Sequence, residues 1–289
     1  MQLIRSFSGR SRCGNRLVVR AFRLARCVYE IKQKVSSFFL LALFLVNLRE
    51  AEIGCRRGWK QDLWEPQLDD LTRNFRVIRH DHPGHGISPI PAEEVTVAAI
   101  ARGVIEVLDD LGVPQASFTG ISLGGMIGMW LGANAPERID RLVLAATGAS
   151  LGTPAMFAER AALVRAEGTA AIVDGTRQRW FTTAFAGSPE AEHVLDELRA
   201  ISPEGYAACC EAVGAFSFHD DLHRVAPPTL VVVGEEDPVT PPETVEALVN
   251  GIPDTRLVSI AGAAHIVNVE QPETFTGAVL AHLEERTPA

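Results

Sequence analysis

The chain has 289 residues, 47% of them hydrophobic, which is enough to bury one substantial core and fits one domain with an insertion. A formal net charge of -9 excludes the nucleic-acid binders, whose phosphate contacts need a basic field. Five cysteines, with Cys209 and Cys210 adjacent and no C-x-x-C spacing, supply neither a disulfide framework nor a zinc site, and a reducing cytoplasm is the expected compartment.

Residues 1–60 differ in character from the rest. They hold thirteen of the 27 basic residues, all three lysines among them, but only three of the 36 acids, so positions 61–289 carry a formal -19. This break suggests a mistaken start, a frameshift or a targeting extension. Within the segment, the apolar run Phe38 to Val46 reads as a buried strand. Its nine residues fall short of the roughly 20 that span a bilayer, so no membrane partner is expected.

From Asp62 onward short apolar runs alternate with helical periodicity, which predicts an α/β fold with a mostly parallel sheet flanked by helices. Strands are expected at Phe75 to His80, Ala116 to Ile121, Leu142 to Ala146, Thr229 to Val233 and Arg256 to Ile260. Val97, Ile100, Ala101, Val104 and Leu108 recur at helical spacing, as do Phe275, Val279 and Leu283. Between about Gly152 and Arg224 the alternation fails and several helical segments follow one another. Residues 152–224 are therefore expected to form an inserted helical cap, with 61–151 and 225–289 making the core.

Three residues stand where chemistry can occur. Gly120-Ile121-Ser122-Leu123-Gly124 follows a strand and opens a helix, the context of a nucleophile elbow, in which small neighbours let strand and helix approach while the serine stays exposed. Asp237 lies just beyond the strand that starts at Thr229. His265 follows the next one, in Gly262-Ala263-Ala264-His265. Each has an ordinary reading as a loop residue, but the order Ser, Asp, His at successive strand ends is that of the α/β-hydrolase triad. The run His80-Asp81-His82-Pro83-Gly84-His85 nearly spells a metal-ligand cluster, yet Gly84 stands where a ligating aspartate is needed, so no metal is expected. His219 and His223 read as a helix-surface pair.

From about Asp62 to Leu283 the chain resembles the 3-oxoadipate enol-lactonases, α/β-hydrolases of the β-ketoadipate route of aromatic degradation. The resemblance rests on Leu63-Trp64-Glu65-Pro66-Gln67, Gly120 to Gly128 and Asn134-Ala135-Pro136-Glu137-Arg138-Ile139. It continues in Gly152-Thr153-Pro154, Arg179-Trp180-Phe181-Thr182 and Pro203-Glu204-Gly205-Tyr206-Ala207-Ala208-Cys209-Cys210. Asp237 to Pro242 and His265 to Pro272 complete it. The cap motifs are the specific part, since the elbow and histidine loop are shared widely among hydrolases.

The resemblance implies hydrolysis of the enol-lactone by Ser122, His265 and Asp237, with no cofactor and a small-molecule substrate. Leu123 would donate one backbone N–H to the oxyanion hole. The second donor normally lies in a loop before the helix near Trp64, of which only Asn47-Leu48 is an echo here, and the family's two N-terminal strands are also missing from the pattern. Because the substrate is a carboxylate and the chain is acidic, Arg179 is the expected local cation, with Trp180 packing on the lactone ring; an exposed arginine and a core tryptophan are the ordinary alternatives. Another esterase or a carbon–carbon bond hydrolase would keep the triad and differ in the cap. A haloalkane dehalogenase would need aspartate at position 122, and a non-catalytic binding module would be expected to have lost a triad member.

Overall fold

The computed structural model describes residues 42–47, 63–86 and 88–285. A six-stranded sheet runs through the molecule in the order β2-β1-β3-β4-β5-β6. Its strands are β1 (Ala42–Asn47), β2 (Phe75–Arg79), β3 (Ala116–Ile121), β4 (Ile139–Ala145), β5 (Thr229–Gly234) and β6 (Thr255–Ile260). β3 to β6 are parallel, while β1 lies antiparallel to both β2 and β3. β2 therefore points the same way as β3. The expected strands from Phe75 onward form with shifts of three residues or fewer at their ends. The expectation for Phe38 to Val46 is met in part, as β1 begins at Ala42 and residues 38–41 lie outside the described region. So do the rest of the basic segment and Leu48, and with them the questions of start, frameshift or extension.

The helices explain why the parallel strands are continuous apolar runs. α1 (Glu65–Leu71), α2 (Val97–Asp110), α3 (Leu123–Asn134), α8 (Pro242–Gly251), α9 (Val267–Glu270) and α10 (Pro272–Glu284) cover the sheet. β3 and β5 are buried at every position, as strands covered on both faces must be. α2 is amphipathic, burying Val97, Ile100, Ala101, Val104 and Leu108, the residues whose spacing predicts it. α3 is buried almost all round, which marks a central helix. Trp64 and Phe275, both fully buried, meet at 6.0 Å between ring centroids and join the start of α1 to α10.

Between β4 and β5 the chain inserts α4 (Pro154–Glu167), α5 (Val173–Trp180), α6 (Pro189–Ala200) and α7 (Pro203–Ala215). Three of these start alike. Thr153, Ser188 and Ser202 each cap a helix whose first residue is proline, accepting from the N–H of Met156, Ala191 and Gly205. The hydroxyl satisfies a backbone donor left over at the helix start, and proline there has no N–H to lose. His219 and His223 are exposed on a 3-10 turn instead of an α-helix, where residues four apart do not share a face. His219 Nε2 is 2.9 Å from Ser150 Oγ.

Candidate active site

The carboxyl ends of β3, β5 and β6 lie on one edge of the sheet, which brings together three segments far apart in sequence. Ser122 caps the N-terminus of α3 with φ 53° and ψ -114°, a backbone conformation costing a non-glycine residue about 1–3 kcal/mol. Hydrogen bonds on both sides hold it there. Its N–H donates to the Ala145 carbonyl at 2.9 Å, and its carbonyl accepts from Thr147 Oγ1 at 2.7 Å. Gly120 must be glycine, since a Cβ there would lie 2.2 Å from the Gly124 carbonyl carbon. Leu123 is the first residue of α3, so its backbone N–H has no partner within the helix.

Asp237 follows β5 in a turn closed by its own N–H donating to Gly234 O at 3.1 Å. Its Oδ1 accepts from Val239 N at 2.8 Å, and its Oδ2 accepts from Thr240 Oγ1 at 2.5 Å and lies 2.9 Å from His265 Nδ1. Burial opposes ionisation of this carboxyl, yet His265, Thr240 and Val239 outweigh it and hold it below the usual aspartate range. Asp237 thus remains an anion that fixes the imidazole, leaving Nε2 for the cavity chemistry.

The histidine loop is held by a residue absent from the expectations above. The buried carboxylate of Glu270, in α9, accepts from Thr182 N and Oγ1 at 2.9 Å each and from Ala264 N at 2.6 Å. It therefore joins the residue before His265 to the end of α5. Ile266 N donates to Trp180 O at 3.0 Å and reinforces the same joint. A buried glutamate in a helix gives no sequence signal of its own, because its donors come from 88 and 6 residues away.

Ser122, Leu123, His265, Arg179 and Trp180 all line one cavity of about 270 Å³ between the sheet edge and the insertion. Its walls are largely apolar and, among the described residues, include no aspartate or glutamate. A second arginine, Arg160 of α4, lines it as well. Its guanidinium lies 5.7 Å from the Phe157 ring centroid, and its charge partly offsets the upward push that burial gives the Tyr206 hydroxyl. Burial, and then the charge of Arg160, pull the Arg179 pKa down from its usual value. No motif points to Arg160, as it stands out only once α4 is placed against α7.

His82 and His85, from the loop after β2, form part of the same wall. Both are buried, and burial lowers their pKa so that they stay neutral. Beyond them the loop meets the insertion at Gly84 and Gly205, where a Cβ on Gly84 would lie 2.4 Å from the Gly205 Cα. Side chains at either position would push α7 off the loop.

Known proteins resemble this chain over most of its length. The sequence model of the alpha/beta hydrolase family matches residues 54–278. The chain is 38% identical to 3-oxoadipate enol-lactonase 2 of Acinetobacter baylyi over 77% of its own length and 84% of that protein. With 3-oxoadipate enol-lactonase 1 of the same organism the identity is 32%, over 75% and 82%. The crystal structure of the enol-lactonase from Burkholderia xenovorans LB400 superposes with a TM-score of 0.74 at 32% identity, covering 77% of this chain and 86% of that one. The chain belongs to the alpha/beta hydrolase family and, within it, stands with the 3-oxoadipate enol-lactonases.

Proposed function

We propose that this chain hydrolyses 3-oxoadipate enol-lactone to 3-oxoadipate, with Ser122 as nucleophile, His265 as proton carrier and Asp237 as the group that orients and stabilises the imidazolium. The observation behind this reading is the bond between His265 and Asp237 beside a cavity that also holds Ser122 in a strained turn. Ser122 Oγ attacks the ring carbonyl carbon while His265 takes its proton, and the developing oxyanion meets the Leu123 N–H. The ring C–O bond breaks, and the enol oxygen leaves with the proton from His265. Water then attacks the acyl carbon with His265 as base, the bond to Ser122 Oγ breaks, and the serine regains its proton. The helices of residues 152–224 act as the cap that encloses the lactone, with Trp180 against its ring and Arg179 supplying positive charge.

The test compares the lactone with a neutral ester of similar size. The expected kcat/KM favours the lactone by about tenfold or more, the worth of one charge-assisted contact. A preference for the neutral ester would remove the lactonase reading and leave only a serine hydrolase.

A further inference from the structure

The insertion contains five arginines in its four α-helices, and they divide sharply. Arg165 is paired with Glu204 and Glu211, Arg177 with Glu192, and Arg199 with Glu192 and Asp196. Among the described residues Arg160 and Arg179 have no acidic partner, and these are the two that line the cavity. Arginines a few residues away are neutralised on the outer surface, so the cavity pair is not explained by a shortage of local acids. Two half-buried cations on a largely apolar wall repel each other and favour an anion between them.

The two come from different helices. Arg160 belongs to α4, with its guanidinium 5.7 Å from the Phe157 ring centroid. Arg179 belongs to α5, and its guanidinium reaches back over Gly175, where a Cβ would lie 3.6 Å from Nη1. Both cations therefore face the cavity from the insertion, across from the sheet edge that carries Ser122. A lactone bearing one carboxylate leaves one positive charge unmatched.

We propose that the cavity is a dicarboxylate site, in which Arg160 and Arg179 together match the carboxylate the substrate brings and the carboxylate that hydrolysis creates. This inference rests on the lactonase reading for the identity of the substrate. In the last step water adds to the acyl carbon, the Ser122 ester bond breaks, and the new acid loses its proton to solvent. The second anion thus arises beside Ser122, in the same cavity that both arginines line. The site is matched in charge to product more closely than to substrate, and linear six-carbon dicarboxylates are competitive ligands.

Calorimetric titration of the purified enzyme with adipate and with hexanoate tests this without turnover. Adipate is expected to bind about ten- to a hundredfold more tightly, one further charge-assisted contact. Arg160→Met and Arg179→Met each remove most of that gap, and Arg160→Lys and Arg179→Lys restore part of it, with thermal midpoints confirming that each variant is folded. Equal binding of the two acids, or an unchanged gap in either methionine variant, would overturn the proposal. Lactone turnover measured in parallel separates the two readings. Adipate selectivity without lactone hydrolysis rejects the lactonase and keeps the dicarboxylate site, whereas lactone hydrolysis without adipate selectivity does the reverse.

Discussion

At the carboxyl edge of the sheet, Ser122, Asp237 and His265 are held largely by backbone. Ser122 exchanges hydrogen bonds with the end of β4 and the loop after it, Asp237 is closed into its own turn, and the loop of His265 is tied through Ala264 and Ile266. Across the cavity Arg160 belongs to α4, which packs against α7, itself set by a glycine–glycine approach to the core, and Arg179 belongs to α5, whose end is joined to the histidine loop. The first wall can be rigid because parallel strands with buried faces set its geometry. The second carries the two arginines to which we assign selectivity.

The contrast is broken most severely at its catalytic side. Ser122→Ala should lower kcat by about 10⁴- to 10⁶-fold on acidic and neutral substrates alike, with the unfolding midpoint little changed, because only one exposed oxygen is lost. Steady-state kinetics together with thermal unfolding checks both parts, and turnover near the original level would reject Ser122 as nucleophile.

A smaller effect is expected where the two walls meet. Glu270→Gln keeps the shape of the side chain but puts an NH2 donor in place of one of the two oxygens that accept three hydrogen bonds, leaving at least one buried donor unmatched at a cost of about 1–3 kcal/mol. Because this joint positions the histidine loop and the end of α5 together, kcat/KM should fall by similar factors on lactone and neutral ester, and the urea midpoint should fall too. A loss confined to the acidic substrate would instead assign Glu270 to the cap side alone.

The mildest test is pH. His82 and His85 have folded pKa values below the unfolded 6.5 because of burial, so stability is complete above pH 6.5 and declines as the unfolded chain takes up protons that the folded chain refuses. Each such histidine removes at most about 1.4 kcal/mol per pH unit below 6.5. Asp237, depressed below its ordinary 3.8, acts only in stronger acid. Urea unfolding at pH 7.0 and 5.5 should therefore show a drop in midpoint, and His85→Asn should reduce it; equal midpoints in the unaltered protein would contradict the buried neutral state.

The α/β architecture, the three catalytic candidates and the inserted helices were legible in the sequence because each has a local cause. Apolar runs predict covered strands, and Gly120 and Gly124 leave room for an elbow. Boundaries moved by a few residues, as at β4, which begins at Ile139, because strand pairing extends wherever a partner is present. The antiparallel course of β1 had no signal, since alternation does not encode direction. Arg179 and Trp180 were accessible only through resemblance; Glu270 lay in a stretch that carries the resemblance but with no role attached, and Arg160 was reached by neither route. Their roles depend on partners brought close by folding: Tyr206 from the next helix but two, Thr182 and Ala264 from either side of β5 and β6. Local sequence determines which elements form and where a nucleophile can stand, because backbone geometry and hydrophobic periodicity are properties of short segments. Tertiary structure alone decides which charges find partners and which are left facing the cavity, because ion pairing depends on separations in space that no interval along the chain specifies.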